Sequence, residues 1–188
     1  MEDEEPWYSK LRKQWKPERV KLLMIAESAP ADGGNAVHRN FFYRSDRLGP
    51  DNLFRGVVAA TYGTTSDALK QSGKRPWLER LRDDGFYLID LASHPVNRLG
   101  PAEKRQVLRD AVVDCVARTR QLDPIGVVIV KANLYPLLAA PLVEAGLPLL
   151  HDRPIPFPLG NTRAEFIAAF NTARSNLPVS PESNRRIR

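Results

Sequence analysis

Residues 20–43 read VKLLMIAESAPADGGNAVHRNFFY. The stretch opens with Val20–Ala26, a run dominated by apolar residues. A short run of that kind reads as a strand buried on both faces of a sheet. Where the run ends stands one acid, Glu27, followed by Ser28, Ala29 and Pro30. Gly33-Gly34 then gives way to the aromatic cluster Phe41-Phe42-Tyr43. In open α/β sheets, ligands bind just beyond the carboxyl ends of the strands. An acid at that position, with aromatics returning close by, suits holding and attacking a flat ring. The plain alternative is a solvated surface glutamate beside core aromatics.

Working outward, strands and helices alternate along the chain. Residues 1–19 form an acidic, then basic leader with Trp7, Tyr8 and Trp15, expected to pack on the domain. Residues 27–50 make a long loop, and loops of that length are usually functional or disordered. Asn52–Tyr62 has helical spacing. Pro76–Asp83 reads as a helix with proline in its first turn, and Gly85 stops it. Phe86–Ala92 (FYLIDLA) is a second buried strand with a single acid, Asp90, inside it. The loop Ser93–Gly100 (SHPVNRLG) leads into a long amphipathic helix, Pro101–Gln121. Ile125–Val130 is a third strand, a helix runs on to Gly146, and Leu147–Leu150 is a short fourth strand. The proline-rich turn Arg153–Thr162 (RPIPFPLGNT) precedes a final helix, Arg163–Arg174, with Thr162 as its cap. Residues 20–176 are then one α/β domain, and 177–188 a flexible basic tail.

This alternation predicts a mainly parallel, four-stranded sheet with helices on both faces, a three-layer α/β/α sandwich. Polar residues follow three of the strands, at Glu27, at Asp90–Asn97 and in the 153–163 turn. A parallel sheet brings all three loops to one edge.

Composition narrows the possible roles. Apolar residues make up 43% of the 188, enough for one domain with a core. No run approaches a membrane span, and the start, MEDEEPW, is acidic rather than signal-like, so a cytoplasmic protein is expected. The single cysteine, Cys115, excludes an intramolecular disulfide, and its setting in AVVDCVARTR reads as core rather than nucleophile. Three histidines and one cysteine at no ligand spacing argue against a structural metal. A monomer without metal or cofactor is expected. Lys and Arg outnumber Asp and Glu by 28 to 22, a formal charge of +6, which permits a polyanionic partner such as DNA. No glycine-rich phosphate loop follows any strand, which disfavours a nucleotide-binding protein or a small-molecule nucleoside hydrolase.

The combination resembles the uracil-DNA glycosylase superfamily over residues 20–172. That family's first motif, a strand running into a polar or acidic residue just before proline, is matched by IAESAP, residues 25–30. Its stacking aromatic is matched by Phe41 or Phe42. Its strand carrying a base-reading amide is matched by YLID, residues 87–90, with Asp90 in the amide's place. Its last motif, a His-Pro-Ser or Asn-Pro-Ser-Gly loop before the final helix, resembles FPLGNTR, residues 157–163, with Phe157 where His or Asn stands. A second register places Arg153-Pro154-Ile155-Pro156 there, with Arg153 for the histidine, and both registers stay open. The first motif has Ala26 for the usual glycine. Glu27 also lies one residue further from Pro30 than in the similar Gly-Glu-x-Pro form, so Ser28 and Asp32 stand as substitutes. One cysteine excludes the iron–sulfur branch, which needs four.

The resemblance implies a monofunctional DNA glycosylase that flips out a base and hydrolyses its glycosidic bond, leaving an abasic site. Glu27 would orient or deprotonate water and stabilise an oxocarbenium-like sugar. Arg153, or the backbone amides of the last loop, would stabilise the leaving base, while Arg44, Asn97, Arg98, Asn161 and Arg163 would hold DNA. His94 is a further substrate contact on the middle loop. Two positions bear on the base itself. An ionised Asp90 only accepts hydrogen bonds, which suits the cytosine amino group and not uracil O4. Ala31 stands where uracil-specific members carry a bulky tyrosine, which leaves space beside C5. The expected substrate is therefore a C5-modified cytosine, hydroxymethylated or glucosylated, as in phage DNA, with phage defence as the setting. Asp32, Asn35, His38 and Arg39 are candidates for contacting the added group. The alternatives are a uracil-DNA glycosylase of base-excision repair and a catalytically silent DNA-binding module of the same fold.

Overall fold

The computed structural model describes residues 5–31 and 40–178. Leu22–Ala26 (β1) is buried at all five positions. A strand alternates its side chains across the sheet, so five buried residues in a row require cover on both faces. Phe86–Asp90 (β2) and Gly126–Ile129 (β3) flank it in parallel, in the order β2–β1–β3. Ala26 stands opposite Asp90 and Ile25 opposite Ile129. The three strands therefore end level, and the residues that follow them share one edge of the sheet.

The helices are Trp7–Gln14 (α1), Asn52–Tyr62 (α2), Ser66–Ser72 (α3), Arg75–Asp83 (α4), Pro101–Asp110 (α5), Val112–Leu122 (α6), Tyr135–Glu144 (α7) and Arg163–Ser175 (α8). The leader carries α1, and its Tyr8 and Trp15 are buried in the core. α2 packs against α8 through Gly56, where a Cβ would lie 2.9 Å from both Phe166 and Pro158. Glycine is thus what lets the last loop settle onto α2. No helix among the described residues is long and apolar enough to cross a membrane.

Three expectations need correction. Among the described residues the sheet has three strands, not four: residues 147–150 make only an isolated bridge, Val127 to Leu149. Pro148 has no N–H to give a ladder, and the chain turns away at once. The imidazole of His151 takes over instead, with Nε2 accepting from the Ile129 N–H at 2.9 Å. The helix over 101–121 is interrupted at Ala111, just before the β-branched pair Val112-Val113, whose stiff side chains favour helix interiors poorly. Thr162 makes no cap bond to α8. Its hydroxyl lies 2.6 Å from the Phe157 carbonyl and accepts from the Leu159 N–H at 3.2 Å, so it ties the last loop to itself. The chain also forms α3, which Thr65 starts by accepting from the Ala68 N–H at 3.2 Å.

Side chains also close the sheet's two edges. On β2 the Tyr43 hydroxyl accepts from the Leu88 N–H at 2.6 Å and lies 3.2 Å from the Leu88 carbonyl. On β3 His151 does the equivalent work. Blunting an edge in this way prevents pairing with a further strand.

His151 makes stability depend on pH. Because Nε2 accepts, Nδ1 carries the proton and donates to the Arg153 carbonyl at 2.8 Å. Burial lowers the imidazole pKa, against the Arg153 carbonyl and the charge of Asp152, which raise it. An unfolded histidine titrates near ~6.5. The stabilisation is complete above that pH and is lost as the pH falls through the lowered folded value. The melting temperature should drop between those two values in the wild type. A His151→Gln variant that shows the same drop would rule His151 out as its source.

Candidate functional site

The residues beyond the strand ends line a cavity of about 280 Å³. β1 delivers Glu27, Ser28, Ala29 and Pro30 to it, β2 delivers Asp90, and β3 delivers Lys131. The ladder persists past the strands: the Leu91 N–H donates to the Ala26 carbonyl at 2.8 Å and the Val130 N–H to the Ile25 carbonyl at 3.1 Å. The backbone under Glu27 and Lys131 is therefore fixed. Phe41, Phe42, Leu53 and Phe157 supply the apolar walls, and Asn40, Asp51 and Asn97 add polar groups. A wider cleft of about 770 Å³ lies beside α7 and α8. The smaller cavity is the candidate site, because it lies beyond the strand ends and gathers the ion-paired Glu27 and Asp90 against an aromatic wall.

Glu27 is the electrostatic centre of this cavity. One carboxylate oxygen is paired with the Lys104 ammonium from α5, and the other lies 2.5 Å from Lys131 Nζ. The Asn133 amide approaches that second oxygen at 3.4 Å. Burial pushes the carboxyl pKa up, but hydrogen bonds and charge from both lysines outweigh it, so the net shift is downward. Glu27 is a carboxylate at neutral pH, 11% exposed, held between two cations.

Asp90 is almost fully buried and is paired through Oδ2 with the Arg12 guanidinium, which α1 delivers from 78 positions away. Arg118 of α6 donates to the main-chain carbonyls of Asp90 and Leu91 at 3.0 and 2.9 Å. Burial raises the Asp90 pKa, and the charges of Arg12 and Arg118 oppose it. Asp90 thus has the arginine partner that a buried acid requires, and it still lines the cavity.

The aromatic wall is anchored from behind. Lys74, 1% exposed, donates to the Phe41 carbonyl and to Asp51 Oδ2, both at 2.7 Å, with its ammonium 4.5 Å from the centre of the Phe54 ring. Asp51 Oδ1 meanwhile accepts from the Phe54 N–H at 3.0 Å and so caps α2. Phe42 meets Tyr43 and Phe54 edge-on, and Phe41 meets Trp7.

Of the residues singled out from sequence, Glu27, Ser28, Phe41, Phe42, Asp90, Asn97 and Phe157 share this cavity. Ser28 accepts from the Val96 N–H at 3.4 Å, and Asn97 Oδ1 accepts from the Ala31 N–H at 2.9 Å. Both bonds tie the first loop to the middle one. Ala31 is half-buried outside the lining. Arg153 is exposed and borders the wider cleft, so Phe157, not Arg153, occupies the cavity wall. His94, Arg98 and Asn161 are exposed. Arg44 pairs with Asp46 at 2.9 Å, and Arg163 reaches the Ser66 hydroxyl at 3.4 Å. Asp32, Asn35, His38 and Arg39 lie outside the described residues. Cys115 is buried, its thiol pKa pushed up to about 11 by burial.

Lys131, Lys104, Arg12 and Lys74 were missed. For Lys131 the signal was present: in GVVIVK a polar residue stands directly beyond a buried apolar run, the pattern that selected Glu27. The other three reach their partners from distant segments, and nothing local marks them. The chain matches no family model, no curated protein and no solved structure.

Proposed function

We propose that the protein is a DNA glycosylase of uracil-DNA glycosylase-like, layered α/β/α architecture, which releases a C5-modified cytosine from a flipped nucleotide. The observation that carries this reading is a partly buried, ion-paired carboxylate, Glu27, beside a base-sized cavity walled by Phe41, Phe42 and Phe157. A cavity of about 280 Å³ is at the lower limit of ligand sites and suits one small ring system. Stacking a base on Phe42 is worth about 1–3 kcal/mol. As a fixed anion, Glu27 would favour the positive charge that develops on the sugar, and Lys131 would favour the negative charge on the departing base. With Oδ2 of Asp90 held by Arg12, Oδ1 would accept from the cytosine amino group.

The second reading is a silent DNA-binding module. One observation favours it: both oxygens of Glu27 are already bonded to lysines, which competes with holding a water. One assay separates the two. Duplexes containing uracil, cytosine, 5-hydroxymethylcytosine or its glucosylated form are incubated with the protein and heated in alkali. Strand breaks at modified cytosine are expected, with an altered base preference in Asp90→Asn. Efficient uracil release by the wild type, or an unchanged preference in Asp90→Asn, would sink the cytosine reading. Retarded but intact DNA would establish the binding module.

A further inference from the structure

Lys131 stands apart from the other cations of the site. It lines the cavity, is fixed at its backbone by the end of β3, and keeps its side chain 30% exposed. Its ammonium shares the Glu27 carboxylate with Lys104, which comes from α5 and is absent from the cavity wall. Lys131 can therefore leave Glu27 for a substrate without stripping the carboxylate of its other cation. A lysine amine that can reach a carbonyl carbon is the nucleophile that Schiff-base formation needs, and Lys104 beside Glu27 is a second cation in its neighbourhood.

We infer that Lys131 is a nucleophile toward the aldehyde of an abasic deoxyribose, which makes the protein an abasic-site lyase as well as a base-releasing enzyme. This rests on the cavity being the site of the proposed glycosylase. Once Lys131 Nζ has left Glu27 and given a proton to solvent, its freed electron pair attacks C1′ of the ring-opened sugar. The C1′ oxygen takes up protons and leaves as water, and a C1′=Nζ iminium forms. Loss of the C2′ proton pushes electrons toward C3′, the C3′–O bond breaks, and the 3′-phosphate departs with that electron pair. Water then hydrolyses the iminium, which regenerates the lysine and leaves an unsaturated aldehyde on the nicked strand. No oxidant or reductant is consumed.

The test uses duplex DNA that already carries an abasic site, so base release is not required. The full-length protein is incubated with it, with and without sodium borohydride, which reduces the iminium to a stable amine. The expected result is a borohydride-dependent protein–DNA adduct whose cross-linked peptide contains residue 131, and strand cleavage when borohydride is omitted. Lys131→Arg keeps a cation on Glu27 but has no reactive amine, and should lower adduct yield about tenfold or more; Lys70→Gln, at an exposed lysine of α3, should keep it within about threefold. No wild-type adduct, an adduct mapped to another amine, or an undiminished adduct in Lys131→Arg would each overturn the inference. An adduct at Lys131 in a protein that releases no base from any duplex would uphold it and remove the base-release reading.

Discussion

Glu27→Gln is expected to lower the single-turnover rate of base release by about 10²-fold or more while DNA affinity is kept or rises. The substitution preserves shape and removes one negative charge. It leaves Lys104 and Lys131 facing a neutral amide where each now meets a carboxylate oxygen. Any role of Glu27 in opposing positive charge on the sugar, or in drawing a proton from water, is lost with that charge. DNA binding should not suffer, because the net charge of the edge becomes more positive and phosphate contacts are mainly electrostatic. The measurement is alkali-revealed cleavage of the best substrate under enzyme excess, with anisotropy for affinity. Turnover within a few-fold of wild type would mean that Glu27 serves only as an ionic tie between α5 and the end of β3. Ser28 would then be the next candidate.

Lys74→Met should cost about 3–5 kcal/mol of stability, the typical loss when one member of a buried ion pair is removed. The lysine is 1% exposed and holds two oxygens at 2.7 Å. Burial lowers its pKa, and the Asp51 charge opposes that shift. Methionine fills most of the volume but satisfies neither oxygen. The Phe41 carbonyl is orphaned, and Asp51, its side chain 10% exposed, keeps only its bond to the Phe54 N–H. A domain of ordinary stability has about 5–15 kcal/mol to lose, so the aromatic wall should loosen before the sheet does. Urea unfolding measures the loss. A companion Asp51→Asn change should recover part of it, because the cap survives and the unpaired charge does not. A loss under about 1 kcal/mol would show that the pair contributes little and that the aromatic packing alone holds the wall.

The central strand and its position were legible in residues 22–26, because five buried apolar residues in sequence have few other uses in a chain with this alternation. Levelling of the strand ends follows from parallel pairing, so the sequence by itself assigns Glu27 and Asp90 to one edge. Gly85 and the proline beside Arg75 marked turns whose chemistry is local. What tertiary structure alone decided are the partnerships. Glu27 meets Lys131 across 104 positions, Asp90 meets Arg12 across 78, and Tyr43 meets Leu88 across 45. A salt bridge has no period and no spacing, so nothing in the chain near Asp90 shows that α1 returns to neutralise it. The fourth strand failed for a related reason. Residues 147–150 have strand-like composition, but β3 accepts the imidazole of His151 in place of a ladder, and one side chain's hydrogen bond settled the width of the sheet. Local pattern determined which segments fold and where they end. Long-range charge and hydrogen bonding determined which of the polar residues at that edge are available to a ligand, because an oxygen already bonded to a lysine or an arginine must exchange that bond before it can serve another.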